Sequence, residues 1–198
     1  MSSGDLHRDE TPSPWVVRFA PAIAEGESVL DVACGRGRHT RWFEANGHRV
    51  TAIDRDVEAL SGCGASEAIV CDLESEPIAW PVQGRQFAAV IVTRYLHRPL
   101  FPHLLDALAP GGVLLYETFA VGNARFGKPS NPAFLLEAGE LLARCSGLTV
   151  VAYEDGLIGQ PAAASIQRIC AVRALRVDDA SDASRAAAEP VDAVRHAL

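Results

Sequence analysis

Lysine is almost missing from this 198-residue chain: Lys128 is the only one, and the remaining cations are arginines. Schiff-base chemistry, which needs a side-chain primary amine, is therefore excluded everywhere but at that position. Long apolar runs are missing too, since nothing approaches the roughly 20 residues that a membrane-spanning helix requires. The opening MSSGDLHRDETPSP has neither the basic nor the apolar part of a signal peptide, so secretion is not expected. The five cysteines form no C-x-x-C pair and have no histidine at metal-ligand spacing, which points to no metal and to a reducing, cytoplasmic setting. Cys34, Cys71 and Cys170 sit in apolar strand-like runs and read as small buried hydrophobes. Cationic residues are outnumbered, 18 to 25, giving a formal charge of −7 that argues against a nucleic-acid partner. Arg36, Arg38 and Arg41 make the densest basic cluster, but they flank a glycine turn with a different job.

That turn lies in the stretch from Ser28 to Asp56, SVLDVACGRGRHTRWFEANGHRVTAIDRD. Val29, Leu30, Val32 and Ala33 form a short apolar run of the kind a parallel strand buried on both faces shows. Gly35 and Gly37 then let the chain turn sharply into a helix expected over residues 38–46, with Gly47 as its cap. A second strand over 49–54 ends in Asp54, where a ribose diol would lie. The helix N-terminus suits a phosphate or a carboxylate equally, so the turn alone names no cofactor. A dinucleotide fingerprint wants a third glycine where this chain has Thr40, which counts against NAD or FAD. Asp31, inside the first strand, needs a partner if it is buried. Backbone donors or a cationic cofactor would supply one.

With its strand followed by D-x-x-x-G-x-G, here Asp31-Val32-Ala33-Cys34-Gly35-Arg36-Gly37, the chain resembles a class I S-adenosylmethionine-dependent methyltransferase. In that family the glycine turn meets the methionine part of the cofactor, an acid ending strand two holds the ribose, and an acid after strand three meets the adenine. Asp54 and Asp72 match the two acids in place and type. The resemblance implies S-adenosylmethionine as cofactor, bound by Asp31, Ala33, Gly35, Gly37, Asp54, Arg55, Asp72, Leu73 and Thr93. It runs from about Pro14 to about Leu175. The stretches YLHRPLFPHLLDALAPGGVLLYETF and GNARFGKPSNPAFLLEAGELL resemble a bacterial subgroup related to tellurite-resistance and thiopurine-type methyltransferases. The implied fold is α/β, a Rossmann-like three-layer sandwich whose mostly parallel seven-stranded sheet ends in an antiparallel hairpin.

The remaining segments agree with that fold. A short helix is expected over 57–61, a third strand over 67–72, an irregular crossing over 74–85, where Pro77 and Pro81 interrupt, and a fourth strand over 87–93. A helix over 100–108 is closed by Pro110-Gly111-Gly112, a fifth strand follows over 113–118, and a helix over 137–145 is capped by Gly147. The runs 148–154 and 165–175 have no room for a helix between them and must pair antiparallel. One domain over residues 14–175 results, between a flexible N-terminus, 1–13, and a mobile tail, 176–198, rich in Ala and Asp.

Ligands bind at the carboxyl ends of strands in such sheets, which singles out the residues just after each one. Tyr95 reads as an acceptor contact or a packing residue, His97 as a general base or a capping histidine. Glu117, a carboxylate inside LLYETF, must be paired or near a cleft. The long loop 120–136 reads as an acceptor-site lid, whose cations Arg125 and Lys128 would hold an anionic acceptor or simply be solvated. Trp15 and Phe19 are candidates for a second cover over the cofactor. In-line methyl transfer needs alignment before it needs a base, and no N-P-P-Y motif follows strand four, so a small-molecule acceptor is favoured. The alternatives are a cofactor-binding sensor or subunit without transferase activity, and a nicotinamide oxidoreductase.

Overall fold

The computed structural model describes residues 11–160 and 162–175. Its centre is a seven-stranded sheet of order β3-β2-β1-β4-β5-β7-β6, made of β1 (Ser28–Val32), β2 (Arg49–Asp54), β3 (Glu67–Val70), β4 (Phe87–Thr93), β5 (Leu108–Phe119), β6 (Thr149–Ile158) and β7 (Ala164–Val172). The first five strands are parallel, and β7 runs antiparallel to both β5 and β6. This is the mixed sheet with a terminal hairpin that the sequence implied.

Strand alternation builds a core on each face. Leu30, Val32, Val90, Val92, Leu114 and Tyr116 point to one side, where α4 (Phe101–Asp106) and α5 (Glu140–Arg144) bring Phe101, Leu104 and Leu141. Val29, Ala89, Ile91, Val113 and Leu115 point to the other, against α1 (Pro14–Phe19) and the Phe43 ring of α2 (Arg38–Ala45). The short α3 (Val57–Ser61) lies beside β2, with its N-cap Asp56 accepting from the Ala59 N–H at 3.0 Å. The result is three layers.

Several expectations need correction. Trp15 and Phe19 are 2% and 0% exposed in the core of the α1/α2 face, so they anchor α1 to the sheet and form no second cover. Residues 11–13, expected to be flexible, include a buried Ser13 that N-caps α1 and is bonded on both sides. The other expected flexible positions, residues 1–10 and 176–198, lie outside the described residues. The third strand stops at Val70, so Cys71 is half-buried instead of being a buried strand residue. The helix expected over 100–108 is shorter, because Ala107 and Leu108 turn back to pair with Phe87 and extend β5 through Pro110-Gly111-Gly112 to Val113. The helix expected over 137–145 covers Glu140–Arg144, entered through Gly139 and ended by Cys145, with no capping role for Gly147. The terminal hairpin strands extend into their connection, as far as Ile158 on one side and from Ala164 on the other.

Candidate functional site

The carboxyl ends of β1, β2, β3 and β4 surround an open cleft of about 230 Å³. Ala33 lines it after β1, Asp54 and Arg55 at the end of β2, Cys71, Leu73 and Glu74 after β3, and Arg94 and Tyr95 after β4.

The glycine turn shapes the floor. Gly35 and Gly37 take left-handed φ values of 55° and 74°. At Gly37 a Cβ would also fall 2.6 Å from the Cys63 Cβ, so both conformation and space demand glycine there. The turn aims the Gly35 N–H at Asp54, whose Oδ2 accepts it at 2.7 Å, while Asp54 Oδ1 accepts the Asp56 N–H at 2.9 Å. A carboxylate has about four acceptor positions, so Asp54 is fixed in place and still has capacity for two hydroxyls. Ala33 and Arg94 are the non-glycine residues with left-handed φ among the described residues, at 53° and 56°. They end the paired strands β1 and β4, and such conformations, costing about 1–3 kcal/mol each, collect where function fixes the backbone.

Beneath the turn Asp31 is 1% exposed, and the Thr40 hydroxyl donates to its Oδ2 at 2.6 Å. Burial pushes the Asp31 carboxyl up to about 6 despite that hydrogen bond and the nearby Arg38 charge. Thr40, which stands where a dinucleotide site has its third glycine, is thus the partner the buried carboxylate required.

The other predicted positions divide. Leu73 and Arg55 line the cleft. Asp72 is exposed, with its Oδ1 accepting the Glu74 N–H at 3.0 Å, and Glu74 joins Asp54 as a second carboxylate lining the cleft. Thr93 places its Oγ1 3.3 Å from His39 Nδ1. Tyr95 lines the cleft with its hydroxyl buried and without a hydrogen-bond partner, and burial holds the phenol far above its ordinary pKa, with the Glu74 charge adding to the effect. His97 sits half-buried at the N-cap of the turn 98–100, its carbonyl accepting from Leu100 N–H at 3.0 Å, outside the cleft wall. Glu117 is paired: Oε1 accepts from Ser13 Oγ at 2.8 Å and Oε2 meets Arg168 Nη1 at 3.3 Å. Its carboxylate ties the segment before α1 to β5, and His39 completes the tie by accepting the Ser13 N–H at Nε2, 3.0 Å away.

The 120–136 loop is pinned at its core and open at its tip. Asn123, 1% exposed, donates to the Pro129 carbonyl at 3.0 Å and accepts the Ser165 N–H at 3.2 Å. Arg98 grips the far end, donating to the carbonyls of Ala133 and Leu135 at 2.8 and 2.9 Å and to both oxygens of Glu140 at 2.8 Å. Arg125 and Lys128 are exposed, and the Arg125 guanidinium lies 5.0 Å from the centroid of the Phe126 ring.

Sequence reasoning missed Glu74, Ser13 and His39. The first enters the cleft because β3 ends early, at Val70. The other two act across 104 and 26 residues of chain, a separation no local pattern records.

A sheet of this order, with a glycine turn clamped to the carboxylate that ends β2, defines the class I S-adenosylmethionine-dependent methyltransferases. A model of the methyltransferase domain matches residues 5–142, and the chain belongs to that family. Among curated relatives, the chain is 30% identical over 103 residues to a malonyl-[acyl-carrier protein] O-methyltransferase of Serratia marcescens, a match covering 50% of this chain and 40% of that protein. The chain therefore spans well under half the length of that relative. Among solved structures, TehB from Haemophilus influenzae superposes with a TM-score of 0.68 at 16% identity, over 82% of this chain and 62% of that one. The N-methyltransferase NodS from Bradyrhizobium japonicum gives 0.63 at 16% identity, over 80% and 92%. These two likenesses show the fold. Among the described residues no helix is long and apolar enough to cross a membrane.

Proposed function

We propose that the protein transfers the methyl group of S-adenosylmethionine to a small-molecule acceptor. The observation that carries this reading is the Asp54 carboxylate, locked by the Gly35 N–H at 2.7 Å on the wall of the cleft, with acceptor capacity left for a ribose diol. The donor set fits the cofactor: Asp54 for hydroxyls, the backbone of a left-handed turn for close approach, and a buried unpartnered Tyr95 hydroxyl for a polar edge. Held by Asp54 and the Ala33–Gly37 turn, the cofactor would supply an electrophilic methyl group on a sulfonium, a leaving group that needs no proton.

The protein's share of the work is alignment, and orientation alone supplies about 7–11 kcal/mol of such barriers. Asp54 and the Ala33–Gly37 turn fix the donor end, and the Arg98-gripped loop borders the acceptor end. An anionic acceptor needs no general base, which agrees with the pairing of Glu117 and with His97 standing off the cleft wall.

A second reading is favoured by the name of the Serratia marcescens relative, in which the small acceptor is an acyl group carried on a protein. The exposed Arg125 and Lys128 at the loop tip suit a carboxylate end of such a group. Calorimetric titration with S-adenosylmethionine, S-adenosylhomocysteine and NADH tests the cofactor: micromolar binding of the first two alone is expected, and binding of NADH alone moves the protein to the oxidoreductases. Mass spectrometry after incubation with malonyl-carrier protein and with free small acids then separates the two acceptor readings. Binding with no methylated product from any acceptor would make it a sensor or subunit.

A further inference from the structure

Position 94 would suit glycine better than arginine. Its φ of 56° is one that glycine takes freely and a Cβ resists, and Ala33, at 53°, is the other described non-glycine residue of this kind. The two follow neighbouring strands, β1 and β4, and both line the cleft. The backbone at Arg94 is bolted to β5 on both sides: its N–H donates to the Glu117 carbonyl at 2.8 Å, and the carbonyl of the next residue, Tyr95, accepts from the Tyr116 hydroxyl at 2.8 Å. Those bonds impose the conformation and would hold glycine equally well, so the reason for arginine lies in its side chain.

The lining of the cleft is divided in charge. Its carboxylates, Asp54 and Glu74, stand after β2 and β3, together with Arg55, whereas the β4 side carries the Arg94 guanidinium. β4 lies two strands from β2, about 10 Å across the sheet. With the ribose held at Asp54 and the Ala33–Gly37 turn under the rest of the cofactor, the space beside β4 is left for the acceptor. Glu117, in register with Thr93 at the end of β4, has its oxygens on Ser13 and Arg168, so its charge is balanced. An anion beside β4 therefore meets a cation and no uncompensated carboxylate from β5.

We propose that Arg94 holds a carboxylate of the methyl acceptor, so that the protein selects acids over the corresponding amides. A guanidinium presents paired N–H donors in one plane, which match the two oxygens of a carboxylate; an amide offers one oxygen and turns its own N–H donors toward the other side of the fork. The inference rests on the transferase reading of the same cleft and names the class of acceptor it takes.

Calorimetry on protein saturated with S-adenosylhomocysteine, titrated with malonate, succinate and benzoate and with the amide of each, tests it without any turnover. At least one acid should bind about tenfold or more tightly than its amide, and Arg94→Gly and Arg94→Gln should each bring that ratio close to one while S-adenosylhomocysteine affinity is unchanged. Arg94→Gly should also melt at the wild-type temperature or above, since glycine accepts this φ without strain. Equal binding of acid and amide in every pair, with absence of both counted as equal, overturns the assignment and leaves the cofactor intact. A ratio that survives in Arg94→Gln does the same, and a lower melting temperature in Arg94→Gly would give the side chain to the fold instead of a ligand. Failure of the wild type to bind S-adenosylhomocysteine at all removes the cofactor reading, and this inference with it.

Discussion

The carboxylates at the cleft and those of the β5–β7 half are held in different ways. At the carboxyl ends of β2 and β3 carboxylates are fixed by backbone N–H groups, Asp54 by Gly35 and Asp56 and Asp72 by Glu74, while Glu67 at the other end of β3 is paired with Arg85. On the β5–β7 side they are paired with guanidinium groups: Glu140 with Arg98 and Arg144, Glu117 and Glu154 with Arg168. A backbone clamp leaves a carboxylate charged and available to a ligand, while an ion pair uses it up. Asp54 thus keeps acceptor positions open on the cleft wall, whereas Glu117 spends its two oxygens on Ser13 and Arg168.

Substitutions can break that contrast at either end. The largest effect is expected at Gly37→Ala, where a left-handed φ and a Cβ 2.6 Å from Cys63 combine to cost about 3 kcal/mol or more in denaturant unfolding. A loss below about 1 kcal/mol would show that the turn has slack. Asp31 comes next. Its folded pKa, about 6, lies above the unfolded value of 3.8, so its native state holds the extra proton. Stability from this group is greatest below pH 3.8, falls as pH rises to about 6 and is flat beyond, a change of order 3 kcal/mol. Asp31→Asn keeps the Thr40 hydrogen bond without the charge, so relative to wild type it should gain stability between pH 4 and pH 7.5. A constant difference across that window would mean that Asp31 stays ionised when buried.

Asp54→Ala should weaken S-adenosylhomocysteine binding by about 1.5–3 kcal/mol through loss of a charged acceptor, as read by calorimetry. On the other side of the sheet, Arg98→Met removes bonds to Glu140, Ala133 and Leu135 and should lower stability by about 1–2 kcal/mol, discounted for its partial exposure, with S-adenosylhomocysteine affinity unchanged. An affinity loss there would join the halves that the contrast separates. The smallest effect is expected at Glu117→Gln, which keeps the Ser13 contact and loses the Arg168 charge pair, at about 1 kcal/mol or less in melting experiments. A large fall in turnover with intact stability would restore Glu117 as a chemical group.

The same contrast explains what could be read from the chain alone. The β1-turn-α2-β2 unit is local: Gly35 reaches Asp54 across 19 residues of one supersecondary unit, and each residue type is dictated by the turn itself. The terminal hairpin was equally legible, because the short connection leaves antiparallel pairing as the only way for its two strands to meet. Element ends were less so. The expected closure of α4 at Pro110-Gly111-Gly112 missed that Leu108 returns to Phe87, a pairing decided by tertiary contact. The partners of Glu117, Ser13 and Arg168, lie 104 and 51 residues away, so the sequence could say that the carboxylate in LLYETF is paired or near a cleft but not what holds it.

The position of β7 has a consequence for how the protein is made. It is the last of the described strands to be synthesised, and it lies between two that precede it, β5 and β6. Until β7 is in place the edge of β5 that it covers is bare and β6 is without its neighbour. Bare edges invite pairing with other chains, so docking of β7 is the step that removes that hazard from β5. The β1–β5 part, although earlier in sequence, therefore gains its last neighbour only with Ala164–Val172.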